Sequence, residues 1–75
     1  MNETQYWIWL SRIEKLGSIK LQKLLEKYNT PANIWNAKEE DLLQVEGIGK
    51  EIAKQILNKE YRTNLDKYEK YMINQ

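Results

Sequence analysis

Residues Val45-Glu46-Gly47-Ile48-Gly49-Lys50 set two glycines around one apolar residue, between stretches patterned as helices. A chain that leaves one helix and enters the next within so few residues must reverse sharply. At least one position then needs φ > 0, which glycine adopts without the penalty of about 1–2 kcal/mol that a Cβ brings. Ile48 is expected to point inward and pin the turn. Val45–Leu57 is therefore expected to form a helix–hairpin–helix.

Shifted by 32 residues, the chain matches itself. Ile13-Glu14-Lys15-Leu16-Gly17 falls over Val45-Glu46-Gly47-Ile48-Gly49, Leu24-Leu25 over Ile56-Leu57, and Leu10 over Leu42. An apolar–Glu–x–apolar–Gly unit followed by a helix occurs twice, and self-similarity of this kind marks a duplicated supersecondary unit. The expectation is an all-α bundle of about five short helices, with tandem helix–hairpin–helix architecture, filling residues 1–75 as a single domain. The first copy departs from the glycine pattern at Lys15.

Helix breakers are few, with one proline and three glycines, and they punctuate the rest of the chain. Tyr6, Ile8, Trp9, Leu10 and Ile13 give a first helix that is apolar nearly all round, which implies burial on more than one side. Gly17 is expected to end that segment and Ser18 to cap the next helix. There Leu21, Leu24, Leu25 and Tyr28 recur at i, i+3, i+4, i+7. Thr30-Pro31 opens a short turn that carries Ile34 and Trp35 inward. Glu39, Glu40 and Asp41 crowd the start of another helix, where carboxylates favour the positive end of the dipole. Leu42, Leu43 and Val45 supply its apolar side. A helix with Ile52, Ala53, Ile56 and Leu57 on one stripe is expected from Gly49 to about Lys59. Thr63 with Asp66 resembles a capping box for a last helix bearing Leu65, Tyr68 and Met72. The chain stops at Gln75 without a C-cap signal, as expected of an amino-terminal piece of a longer protein.

Composition removes several classes of function. With no cysteine and no histidine, disulfides, thiol chemistry, zinc fingers and imidazole bases are unavailable. No nucleophile–base pair, paired catalytic carboxylates or phosphate loop appears, so no enzyme is expected. No cofactor or metal is expected either, since Glu39-Glu40-Asp41 reads as a helix-start charge run. No apolar run approaches the ~18 residues of a membrane span, and no signal peptide opens the chain, so a soluble cytoplasmic protein is expected. A domain this small buries only about 60% of its unfolded surface, and three Trp and five Tyr enlarge its thin core.

The net charge of +1 is unevenly spread. Arg12, Lys15, Lys20, Lys23 and Lys27 oppose Glu14 and Glu26 over residues 12–27, a net +3. Over residues 38–46 Lys38 opposes Glu39, Glu40, Asp41 and Glu46, a net −3. The second hairpin carries the sharper chemistry. N–H groups around Gly49 to Glu51 open a helix N-terminus, where unpaired donors and the dipole attract an anion. A nucleic-acid phosphate fits there without any base being read. The glycines Gly47 and Gly49 let that backbone approach, and Lys50 and Lys54 share one helical face beside it. In the first copy Lys15, Leu16, Gly17 and Ser18 are the corresponding candidates. A glycine–apolar–glycine turn also serves as a plain helix connection, so a structural hairpin in a protein-interaction module is the competing reading. Trp9 and Trp35 belong to apolar faces, whereas Trp7 lies on another side of its helix and is a candidate for base stacking.

Tyr6-Trp7-Ile8-Trp9-Leu10 near the initiator Met is followed by Leu16-Gly17, Thr30-Pro31, Ile34-Trp35-Asn36-Ala37, Leu42-Leu43 and Val45-Glu46-Gly47-Ile48-Gly49. In that order these residues resemble the amino-terminal domain of the bacterial DNA-processing protein A family (DprA, also called Smf). The resemblance covers essentially the whole chain. It implies a protein that takes up and protects incoming single-stranded DNA in natural transformation (competence) and loads the RecA recombinase. It also implies that the main DNA-binding surface lies in a following Rossmann-like domain, with this domain an accessory that resembles a sterile alpha motif (SAM) and is not an enzyme, so the competing protein-interaction module would be SAM-like. Gly47, Ile48, Gly49 and Lys50 are the positions onto which the family's hairpin carries over.

Overall fold

The computed structural model describes residues 2–73. Among them it contains no strand. Six α-helices form the expected all-α fold: α1 (Glu3–Ser11), α2 (Gly17–Tyr28), α3 (Pro31–Trp35), α4 (Glu39–Leu42), α5 (Lys50–Leu57) and α6 (Leu65–Ile73), with a 3-10 turn at Lys59–Arg62 before the last. None is long and apolar enough to cross a membrane.

α1 opens with a capping box absent from the sequence reading. The Asn2 side chain accepts from the Gln5 N–H at 2.9 Å, and the Gln5 side chain accepts from the Asn2 N–H at 3.4 Å. Three successive residues, Ile8, Trp9 and Leu10, are buried, because α3 packs on one side of α1 and α6 on another. That sandwich explains the all-round apolar pattern. The helix ends at Ser11, well before Gly17, as the Ser11 hydroxyl turns back to donate to the Ile8 carbonyl at 2.6 Å. Ile13 and Leu16 are buried from the connection between the helices. Gly17 is the first residue of α2, whose capping position is Leu16, so Ser18 supplies no cap.

α2 buries Leu24 fully, with Leu21, Leu25 and Tyr28 partly buried against the core, and closes on Asn29 in the left-handed region at φ 72°. The Asn29 N–H satisfies the Leu25 carbonyl at 2.7 Å, which terminates the helix. Thr30 then caps α3 by accepting from the Asn33 N–H at 3.3 Å, with Pro31 at the first helical position as expected. The acidic run sits in the first turn of α4, as its dipole favours. Leu42 and Val45 are buried behind it, but Leu43 lies on the outer face, since consecutive helical residues point about 100° apart.

One core joins both halves of the chain. Trp9 is fully buried and meets Trp35 edge-on at 4.8 Å between ring centroids, and Trp35 in turn meets Tyr6 at 5.6 Å. The Arg62 guanidinium lies 4.2 Å from the Trp35 centroid and 5.0 Å from that of Trp9, while donating to the Ile56 carbonyl at 2.8 Å. Burial there pulls its pKa below the ordinary guanidinium value, yet a guanidinium remains charged in such a site.

α5 ends at Leu57 because Asn58 adopts an extended backbone and its side chain caps the 3-10 turn, accepting from the Glu60 N–H at 2.9 Å. The Thr63–Asp66 capping box does not form. Asn64 takes a left-handed conformation at φ 59°, which moves Thr63 one residue too far from α6, and its hydroxyl donates instead to the Glu60 carbonyl. Of the expected α6 stripe, Leu65 is buried and Tyr68 is half exposed. The side chain of Met72 and the terminus at Gln75 lie outside the described residues.

Candidate nucleic-acid interface

The backbone of the second hairpin divides the work between its glycines. Gly47 holds φ +89°, the left-handed turn that the reversal requires, whereas Gly49 is extended at φ −94° and ψ −175° and occupies the capping position of α5. Ile48 between them is buried, and its N–H closes the turn on the Val45 carbonyl at 3.0 Å. Any residue can adopt the Gly49 backbone. A Cβ built there meets nothing within 4 Å, so the missing side chain leaves an open approach to the backbone. No side chain caps α5, so the N–H donors of its first turn lack the usual local acceptor. Lys50 and Lys54 are exposed and form no ion pair among the described residues.

In the first copy Lys15 stands at the Gly47 position and holds the same left-handed turn at φ 67°. Leu16 is buried as Ile48 is, so the apolar pin is preserved. Gly17 differs from Gly49, with φ +64° in place of an extended backbone. The first N–H groups of α2 therefore leave the turn at a different angle from those of α5. Ser18 is exposed at the start of α2, and the groove beside it is lined by Trp7, Leu10, Ile13, Gly17 and Leu21.

The fold sets the two hairpins side by side. Lys15 Nζ reaches Glu51 Oε1 at 3.5 Å, and the stem of Lys20 lies over Gly47, 3.3 Å from where a Cβ would stand. The Gln55 carboxamide clamps the first hairpin through both of its ends. It accepts from the Glu14 N–H at 2.7 Å and donates to the Glu14 carbonyl at 3.1 Å. The 32-residue shift maps Gln55 onto Lys23 and Glu14 onto Glu46, and Lys23 Nζ sits 3.1 Å from Glu46 Oε2. Each helix following a hairpin thus reaches across to the glutamate of the other one. Sequence reasoning missed these links, although the repeat itself paired the positions.

The local field is mixed. Glu46 and Glu51 flank the second hairpin, but each is engaged by a lysine of the first copy, which leaves Lys50 and Lys54 as its uncompensated charges. The tryptophans separate as their spacing predicts: Trp9 in the core, Trp35 partly buried against it, and Trp7 39% exposed with its indole N–H 3.5 Å from Glu3. Among the described residues no group of three acidic side chains converges into a metal site.

The hairpins have clear relatives. Over 56 residues the chain is 39% identical to "Putative ATP-dependent RNA helicase MJ1505" of Methanocaldococcus jannaschii, a match that takes in 75% of this chain and 7% of that protein. Over 68 residues it is 28% identical to Protein Smf of Synechocystis sp., covering 91% of this chain and 17% of that one. The chain therefore spans only a small part of the length of these relatives. No solved structure matches it significantly. Residues 10–60, which hold both hairpins, match the model of the SAM-like helix-hairpin-helix tandem, and the chain belongs to that family.

Proposed function

We propose that the chain is an accessory domain that contacts the DNA backbone within a larger DNA-processing protein. The observation that carries this reading is the uncapped N-terminus of α5 beside Gly49, where nothing within 4 Å would meet an added Cβ. A phosphate oxygen fits against the N–H groups of Lys50 and Glu51, with Gly47 and Ile48 holding the turn and Lys50 and Lys54 neutralising adjoining phosphates. Lys15, Leu16, Gly17 and Ser18 form a weaker second contact, since the Gly17 backbone differs from that of Gly49 and Lys15 is engaged by Glu51. The reading makes no demand on catalysis, cofactor or metal.

We further propose, from the resemblance to the DprA/Smf family and in keeping with the likeness to Protein Smf, that the ligand is single-stranded DNA and that RecA loading and a following Rossmann-like domain belong to the parent protein. The helicase named above supports nucleic acid as the ligand class from a second direction. A protein-interaction module with a purely structural hairpin is favoured by one observation, the two glutamates that flank the turn.

Gly49→Leu separates the two readings. The substitution keeps the fold, because the position is extended and open, and it obstructs approach to the α5 N-terminus. Fluorescence anisotropy with a short single strand at low salt is expected to show about a tenfold or greater loss of affinity, with the unfolding midpoint unchanged. Unchanged affinity in a folded variant would eliminate the hairpin contact.

A further inference from the structure

We propose that α6 carries a second nucleic-acid site, a stacking platform for an unpaired base, built from Tyr68 and Tyr71 with Asn64 and Lys67. It shares with the preceding reading only the class of ligand and uses none of the hairpin residues. These four side chains fall at i, i+3, i+4 and i+7 and line one cleft of about 300 Å³. That volume is at the lower end of small-ligand sites, of order 300–1,000 Å³.

Tyrosines at the end of a thin domain would be expected to complete its core. Instead Tyr68 is 47% exposed and Tyr71 67% exposed, while Leu65 of the same helix is buried. The Tyr68 ring is braced from behind. The Arg12 guanidinium sits 5.0 Å from its centroid and is itself held by donating to the Tyr61 and Thr63 carbonyls, each at 3.1 Å. A ring fixed in this way loses little freedom when a base stacks on it, and the nearby cation adds to the attraction for an anionic strand. The cleft supplies the other two groups that a nucleotide needs. Asn64 offers a carboxamide that makes no hydrogen bond among the described residues, suited to a base edge, and the exposed Lys67 suits a phosphate. Neither acidic residue of α6, Asp66 or Glu69, lines the cleft, and Glu69 is turned towards Gln5, 3.5 Å from its amide.

The occupant is a strand whose bases are free, because a duplex hides its base faces. The test compares the 75-residue chain on a short oligothymidine, an abasic strand of equal length and a duplex. Tyr71→Ala, at an exposed position, is expected to weaken binding to oligothymidine about fivefold or more and leave the abasic strand and duplex unaffected. Tyr71→Phe is expected to bind as the parent does, and Lys67→Gln to weaken both single strands while lowering the log–log salt slope by about 0.7. Equal loss on the oligothymidine and abasic strands, or no loss on either, would overturn the platform, as would absence of single-strand binding by the parent chain. Gly49→Leu acts on both single strands alike. A base-dependent loss in Tyr71→Ala therefore stands even where Gly49→Leu is silent, and a silent Tyr71→Ala fails even where Gly49→Leu binds poorly.

Discussion

The two hairpins share one backbone plan and meet its hardest demand with different residues. Both turn through the left-handed region, at Gly47 in the second copy and at Lys15 in the first. Both bury the following apolar residue, Ile48 or Leu16. They part at the next position, where Gly49 is extended and Gly17 is left-handed. The contrast teaches that glycine at a hairpin has two separable uses. At Gly47 and Gly17 it relieves a backbone that a Cβ would strain, and at Gly49 it only keeps space clear.

The buried pins give the strongest way to break the comparison. Ile48→Ala and Leu16→Ala are each expected to cost about 2–5 kcal/mol, against a total of roughly 5 kcal/mol for so small a domain. Urea unfolding will show whether the two losses are alike, and a large loss in one with little in the other would mean that only one hairpin is pinned.

The left-handed position comes next. Gly47→Ala is expected to destabilise by about 1–2 kcal/mol, since its Cβ also presses on the stem of Lys20. Lys15→Gly is expected to act in the opposite sense, raising stability by up to about 1 kcal/mol as the strain is relieved. A loss in Lys15→Gly would show that the pairing with Glu51 outweighs the strain.

Smaller again is the difference between the two remaining glycines. Gly17→Ala is expected to lower stability by about 1 kcal/mol, and Gly49→Ala to stay within about 0.5 kcal/mol of the parent. Thermal melts of the pair test whether Gly49 serves approach and not conformation.

The weakest effect belongs to the cross-hairpin links. Gln55→Ala removes two exposed hydrogen bonds to the Glu14 backbone and is expected to cost about 0.5 kcal/mol, insensitive to salt. Lys23→Ala removes an exposed pair with Glu46, worth about 0–1 kcal/mol and vanishing at high salt. A salt titration of both variants distinguishes a hydrogen-bonded clamp from a screened charge.

Much of the fold was legible because its signals are local. Thr30-Pro31, the acidic start of α4 and the leucine spacing of α2 each act within one or two turns, and the helices follow them. The hairpin was legible for the same reason, with Gly47 turning and Ile48 buried as its spacing requires. What failed was capping that depended on backbone conformation a residue away. Ser18 and Thr63 both carry capping hydroxyls, but the left-handed Gly17 and Asn64 reset the register, and neither hydroxyl caps the helix that follows it. Leu43 misled because a one-turn helix offers its core a single position, which Leu42 takes.

By itself the sequence determined the helical class, the duplicated turn and the apolar residues that pin it, since periodicity and φ preference are properties of neighbouring residues. Only the tertiary structure decided which glycine is strained and which is open. It also set the partners of Lys15, Lys23 and Gln55, and left Tyr68 and Tyr71 exposed on α6. These depend on how segments 23 or more residues apart meet in space, which no local preference encodes.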